Sequence, residues 1–274
     1  MSRNILEMKL VIYTTIDFNA DQGGLVVQYH LASLLKERGV DTQVRSPNNI
    51  KNDIYNVWYD GTSDDDTVVL YSEVIEGNPF GAKRVVRWIL ADLGIFSPVD
   101  IYKTWGPNDL IYYFNGKHDN RLTIQYISPK VYNMGNVSRK EYCHAFRKSF
   151  MHDAQTVTPP TDSYEIQRHA NYIKIFNEYT YFICYDPLTF LLWMAPICGC
   201  ITIIHPYKGL TKKEWIHSLN LVDFYGVAYG YEPSEIEFAR NTLHLAKGQL
   251  DDFIKYNLDK LPAFIKGLQL MISK

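Results

Sequence analysis

Residues 186–206 read DPLTFLLWMAPICGCITIIHP, and this stretch decides the fold that we expect. Asp186 is a candidate N-cap, because its carboxylate can accept from the first turn of a helix, and Pro187 suits the first helical position. The body that follows is apolar on all sides, which predicts a covered helix ending at Gly199. Ile201–Ile204 is typical of a strand inside a parallel sheet. The stretch therefore predicts a buried helix that turns directly into a buried strand.

Three features of the sequence favour an anion at the ends of predicted strands. Thr189 shares the first helical turn with unpaired amides, which suits a phosphate. The pair Gly23-Gly24 opens a helix after the first strand, and Arg147-Lys148 ends another strand. Each has a plainer explanation: a helix cap, a tight turn and a solvated strand end. Together they predict a diphosphate-bearing ligand in the crevice between two α/β halves.

Composition limits the classes of protein and of partner. The chain has 274 residues, 46% of them hydrophobic, and a formal charge of -2. Such a charge favours neither nucleic acid nor an anionic membrane as a partner for the whole chain. Four cysteines without a CxxC pair fit a reducing compartment and predict no metal site. We expect no signal peptide and no membrane span, since no apolar run approaches ~20 residues. These points predict a cytoplasmic protein.

Hydrophobic patterning predicts alternating strands and helices, and so an α/β fold. The polar segment NMGNVS divides the chain into an N-terminal half, residues 1–137, and a C-terminal half, residues 138–274. The expected strands are residues 9–15, 41–45, 54–59, 67–73, 109–114, 122–127, 141–148, 181–185 and 201–204. The expected helices are residues 25–38, 82–93, 163–177, 187–198, 211–218, 233–247 and 249–271, the last interrupted near Pro262. The triplet Asp64-Asp65-Asp66 precedes a strand, and we interpret it as a solvated turn.

Four stretches resemble the GT-B type glycosyltransferases, in particular small bacterial and viral glycosyltransferase-like proteins. They are QGGLVVQYHLASLLKERG, EGNPFGAKRVVRWIL, FNEYTYFICYDPLTFLLWMAPICGCITII and GVAYGYEPSEIEFARNTL. The resemblance implies two Rossmann-like lobes that face each other across a cleft. It implies that the N-terminal lobe takes the acceptor and that the C-terminal lobe binds the nucleotide-sugar donor. It also implies a reaction that needs no metal and no cofactor.

Many retaining members of that group carry two glutamates eight positions apart. Here Asp186 stands at the first acidic position and Met194 at the second, which leaves nucleotide recognition and the retaining mechanism in question. Fixed cations and helix-start amides would stabilise the charge that develops on the leaving diphosphate. The expected donor-binding residues are Gly23, Gly24, Arg147, Lys148, Tyr185, Asp186 and Thr189, with Tyr185 either a stacking platform or a core residue.

An inverting enzyme also needs a base near the acceptor hydroxyl. Asp17 and Glu73 are the candidates, with His118 as a further one, all on loops of the N-terminal half. The sequence thus predicts a glycosyltransferase that moves a sugar from a nucleotide-diphosphate sugar to a glycan or glycoconjugate acceptor. Two alternatives stay open: a nucleotide-sugar epimerase on the same fold, and a non-catalytic module that binds nucleotide or glycan.

Overall fold

A computed structural model describes residues 8–116, 118–146, 158–206 and 209–273 of the chain. The chain divides into two compact units, one within Met1–Tyr126 and Ile254–Lys274, the other within Ile127–Phe253. The expected division between residues 137 and 138 differs, because it falls inside the second unit. The C-terminal stretch belongs to the first unit, since Leu261, Phe264 and Leu268 are buried in that unit's core.

The first unit contains a parallel sheet of five strands. In chain order these are β1 (Lys9–Tyr13), β2 (Asp41–Arg45), β3 (Val68–Ser72), β4 (Arg84–Ile89) and β5 (Leu110–Tyr113). They lie in the order β2-β1-β3-β4-β5, and every neighbouring pair is parallel. The order reverses between β1 and β3, and ligands of doubly wound sheets bind beyond the carboxyl ends of strands at such a point.

Helices cover one face of this sheet, and loops cover the other. Helix α1 (Gly23–Glu37) and the C-terminal helix α7 (Leu261–Ile272) pack on the first face. The second face buries Val11, Val69 and Tyr71 beneath loop residues such as Ile75. Because both faces are covered, the inner strands β1 and β3 carry apolar residues at consecutive positions instead of alternating ones.

That continuous burial explains why the predicted helix over residues 82–93 is wrong. The segment forms strand β4, and its residues from Val85 to Ile89 are all buried. Apolar residues at helical spacing suggested one covered face, but a strand buried on both sides carries apolar residues at every spacing. A run of six residues before a turn is also short for a helix and ordinary for a strand.

Two other predicted strands are also absent from the described structure. Of residues 54–59, the first three lie in a turn that an isolated bridge between Asn52 and Val57 closes, and the last two are in no strand. Residues 122–127 follow an isolated bridge between Tyr113 and Arg121. Leu122 and Ile124 are nevertheless buried, so the apolar pattern reported burial and not strand pairing.

The second unit repeats the same sheet. Its strands are β6 (Lys140–Ala145), β7 (Tyr164–Glu165), β8 (Tyr179–Cys184), β9 (Ile201–Ile204) and β10 (Val227–Tyr229). They lie in the order β10-β9-β8-β6-β7 and are parallel throughout. Counted along the chain, both units therefore have the order 2-1-3-4-5. In this unit the order reverses between β6 and β8.

Three helices connect strands of this sheet: α2 (Tyr172–Glu178), α3 (Leu191–Ile197) and α4 (Lys212–Ser218). Helices α5 (Pro233–Thr242) and α6 (Ala246–Leu258) follow the last strand, and the division between the units falls within α6. Only the end of the helix predicted over residues 163–177 is helical, because β7 and a turn precede α2. No helix among the described residues is long and apolar enough to cross a membrane.

Arg139 and Gly199 hold the helix-to-strand turn that follows α3. Gly199 has φ +81°, and a Cβ there would lie 2.5 Å from Asn133. The Arg139 guanidinium donates to the carbonyls of Phe176, Tyr179 and Cys198 at 2.9–3.0 Å. One side chain thus ties the ends of α2 and α3 to the start of the sheet, and glycine is required where it approaches.

Candidate functional site

Strand register in the second unit sets several aromatic side chains in one row. Ala145 of β6 is opposite Cys184 of β8, which is opposite Ile204 of β9. The next residues along these strands are Phe146, Tyr185 and His205. The rings of Phe146 and Tyr185 stack with centroids 4.5 Å apart, and the Tyr185 and His205 centroids are 5.1 Å apart. This row lies at the carboxyl end of the sheet, where its strand order reverses.

Tyr185 lies inside this row, not on its surface. The side chain is only 1% exposed, and burial raises its pKa. It shares a hydrogen bond with Tyr231, whose hydroxyl lies 3.1 Å from His205 Nδ1. Of the alternatives that the sequence left open, this burial fits a core residue, whereas Phe146 is the half-buried member of the stacked pair.

The turn that follows β8 departs from the expected helix start. Helix α3 begins at Leu191 with Phe190 at the N-cap position, so the prediction that Asp186 caps this helix is wrong. Asp186 is buried, and its Oδ1 accepts from the Leu188 amide at 2.9 Å. An aspartate that bonds the amide two residues ahead forms its own turn and competes with a helix for that amide.

Thr189 and the backbone around it are fixed by further contacts. The Leu191 amide donates to Thr189 Oγ1 at 3.4 Å. From α4, Trp215 Nε1 donates to the carbonyl of Pro187 at 2.8 Å. The Cys184 thiol donates to the carbonyl of Asp186 at 3.2 Å. The turn is therefore held at both ends, and its hydroxyl and amides have a defined position.

Two of the expected donor-binding residues, Arg147 and Lys148, lie outside the described residues. In the sequence they directly follow Phe146 at the end of β6. Met194, which stands where the resemblance implies a second acid, is half-buried on α3. Because Asp186 precedes that helix, the two positions do not lie on one helix.

In the first unit, the glycine pair starts α1. The helix begins at Gly23, two residues earlier than expected. The N-cap residue is Gln22, and its side chain makes no capping hydrogen bond. A Cβ on Gly23 would meet nothing within 4 Å, and one on Gly24 would touch the side chain of Leu90. The first amides of a helix lack partners within the helix, so this start suits close approach by a polar ligand.

The two candidate bases lie at strand ends of the same unit and differ in environment. Asp17 accepts from the Asn48 amide at 3.1 Å, and hydrogen bonds from Ser46 and Asn48 lower its pKa. Glu73 directly follows β3 and is buried, and burial raises its pKa. Its carboxylate accepts from the Leu90 amide at 2.9 Å. Glu73 therefore has the pKa direction that suits a base, while Asp17 does not.

The remaining candidates have structural contacts. The His118 ring stacks on Tyr113 with centroids 3.6 Å apart. In the acidic turn, Asp64 accepts from Thr67, Asp65 pairs with Lys83 and Asp66 pairs with Arg84. The four cysteines all lie within the described ranges, are buried and form no disulfide. Over the described ranges, no group of three or more histidine, cysteine or acidic side chains could hold a metal ion.

Sequence reasoning missed the aromatic row as a unit. Of its three rings, Tyr185 alone was among the expected donor-binding residues. Part of the signal was present, because His205 directly follows the strand predicted over residues 201–204, Tyr185 ends the one over 181–185 and Phe146 lies within the one over 141–148. What the sequence lacked was the register that aligns those three strand ends.

Comparison with protein-family models and with curated proteins found no match to this chain. The resemblance to GT-B type glycosyltransferases therefore rests on the four sequence stretches alone.

Proposed function

We propose that this protein is a glycosyltransferase that moves a sugar from a nucleotide-diphosphate sugar to a glycan or glycoconjugate acceptor. One observation carries the proposal: the expected donor-binding residues of the second unit follow β6 and β8, the strands between which its order reverses. A parallel sheet of this order binds its ligand at that position. The GT-B arrangement of the two units is part of the proposal.

The chemistry of these residues suits a diphosphate leaving group. As the bond to the sugar breaks, negative charge grows on the diphosphate, and fixed donors stabilise it without reorganising. The turn at residues 187–190 would supply the amides of Thr189 and Phe190 and the Thr189 hydroxyl, because Pro187 has no N–H and the Leu188 amide donates to Asp186. Arg147 and Lys148, which follow β6 in the sequence, would supply positive charge. The contacts from Trp215 and Cys184 support this role, because they fix the turn before a ligand arrives.

The base belongs to the first unit in this proposal. A general base works best when its pKa lies near the working pH. Burial moves the pKa of Glu73 towards that range, and hydrogen bonds from Ser46 and Asn48 move that of Asp17 away from it. Glu73 is therefore the stronger candidate for activating the acceptor hydroxyl.

A turnover assay with a panel of nucleotide sugars tests the proposal. We expect release of a nucleoside diphosphate from at least one donor, and its loss in the double variant Arg147→Ala, Lys148→Ala. The matched control is Arg168→Ala, Lys213→Ala, which removes two exposed cations of the second unit and should leave turnover intact.

Other outcomes would redirect the assignment. Nucleotide binding without turnover of any donor would favour the non-catalytic module, which the methionine at position 194 also suits. Conversion of the nucleotide sugar to an isomer without diphosphate release would favour the epimerase. Turnover that survives the double variant would contradict the role given to Arg147 and Lys148.

A further inference from the structure

The first unit has an exposed apolar surface that includes two lysines. Its residues are distinct from the candidate bases Asp17 and Glu73. It consists of Ile50, Lys51, Ile54 and Trp58 from the loop between β2 and β3, and Lys36 from α1; we refer to it as the Trp58 surface. Ile54 is 72% exposed, Ile50 62% and Trp58 37%. Large apolar side chains grouped in this way mark interaction sites more often than isolated ones do.

The loop that presents these side chains is held in place. Asn52 Oδ1 accepts from the amides of Ile54 and Tyr55 at 3.0 Å each. Tyr55 and Val57 are buried in the core of the unit, so the residues that alternate with them point outward. Ile54 and Trp58 are therefore exposed by a fixed turn and not by a segment that could fold them away.

The two lysines lie against the exposed indole. Lys36 Nζ is 5.3 Å from the centroid of the Trp58 ring, and Lys51 Nζ is 4.9 Å from it. The Lys36 ammonium also donates to the carbonyl of Asn56 at 2.9 Å. The acids nearest in sequence are Glu37 and Asp53, and no ion pair joins either lysine to an acidic residue in the described part of the chain. The positive charge of the pair is thus available to a partner.

We propose that the Trp58 surface docks the protein onto an anionic lipid bilayer. An indole with lysines beside it matches the membrane–water interface, where the ring lies at the level of the headgroups and the ammonium groups meet phosphates. The two isoleucines would enter the boundary between headgroups and acyl chains. A protein interface would also favour tryptophan, but such interfaces are depleted in lysine, so the two lysines beside the ring favour lipid over protein.

Sedimentation with vesicles tests this proposal independently of any enzymatic activity. We expect the protein to bind vesicles of phosphatidylcholine with phosphatidylserine, to bind those of phosphatidylcholine alone less tightly, and to be released by salt. Ile54→Asp should reduce the partition coefficient at least about tenfold. Lys36→Glu and Lys51→Glu should each reduce it about fivefold or more, because one basic charge near such a surface is worth about that factor.

The controls use exposed residues of the second unit. Val222→Asp removes an aliphatic side chain that is even more exposed than Ile54, and Lys213→Glu reverses an exposed lysine; both should leave vesicle binding unchanged. These sites and those of the Trp58 surface are exposed, so the variants should fold, which circular dichroism checks. The proposal fails if the protein ignores anionic vesicles, or if the control variants lower binding as much as the surface variants. It also fails if Ile54→Asp dissociates a dimer seen by light scattering, because the surface then binds a second chain.

Discussion

Asp109→Asn probes how the first unit holds the loop that follows Glu73. Arg87 on β4 is completely buried, and its Nε donates to Asp109 Oδ2 at 2.7 Å. The same guanidinium donates to the carbonyls of Ile75 and Gly77, so it fixes the loop that begins at Glu73. The substitution keeps the shape of the side chain but leaves a buried cation without its counter-charge.

The size of the effect follows from that burial. Removing one partner of a buried ion pair costs about 3–5 kcal/mol. Asparagine keeps one acceptor for Arg87, so we expect about 3 kcal/mol, near the lower limit. With an m-value of about 2 kcal/mol/M in urea, the midpoint of unfolding should fall by about 1–2 M. Urea titrations followed by tryptophan fluorescence and circular dichroism measure this shift for the first unit.

Two comparisons separate this mechanism from a general loss of charge. Asp100→Asn removes an acid whose ion pair with Lys103 is exposed, and should cost below about 1 kcal/mol. In a double-mutant cycle, Arg87→Met and Asp109→Asn together should cost at least about 1 kcal/mol less than the sum of the single variants. The reasoning is refuted if Asp109→Asn shifts the midpoint no more than Asp100→Asn does.

Two further predictions concern stability. Burial lowers the pKa of His30 from 6.5 to about 4. As the pH falls, His30 is therefore protonated in the unfolded chain at a higher pH than in the folded protein. The stability contribution of neutral His30 should be complete above pH 6.5 and be lost as the pH falls towards 4. At 1.36 kcal/mol per pKa unit the upper limit is about 3 kcal/mol, and partial exposure reduces it to about 2 kcal/mol. The dependence of the urea midpoint on pH across this range should become weaker in His30→Phe but should not change in His217→Phe. Arg139→Lys should cost about 2–3 kcal/mol in thermal or urea unfolding, because the single ammonium of lysine cannot donate to all three carbonyls that the forked guanidinium reaches; Arg168→Lys, at an exposed site, should cost almost nothing.

The local parts of the fold could be predicted from sequence, because their signals are local. β1 and β9 follow from short apolar runs rich in β-branched residues, α1 from the glycine that ends it, and β2 from its place directly after that glycine. The misassigned β4 marks the limit of this reasoning. Burial on both faces erases the alternation that separates a strand from a helix, and only the neighbouring strands reveal it.

The candidate site was predictable as a set of positions but not as an arrangement. Asp17 and Asp186 follow strands that pattern alone had located, and Glu73 and Tyr185 are the last residues of such strands. Strand order and register depend on contacts distant in sequence, so neither the reversal between β6 and β8 nor the aromatic row could be read from spacing. The cap at Asp186 was mispredicted for a local reason. An aspartate before proline can start a helix or accept a hydrogen bond within its own turn, and the same residues are compatible with both.

Hydrogen–deuterium exchange in the presence and absence of UDP and of GDP tests the central claim most directly. The claim is that a nucleoside diphosphate binds at the carboxyl ends of β6 and β8. We predict that at least one of these ligands slows exchange in a peptide covering residues 185–191, while a peptide covering α4 is unaffected. Unchanged exchange across residues 185–191 with every nucleotide, or protection confined to other segments, would contradict the account.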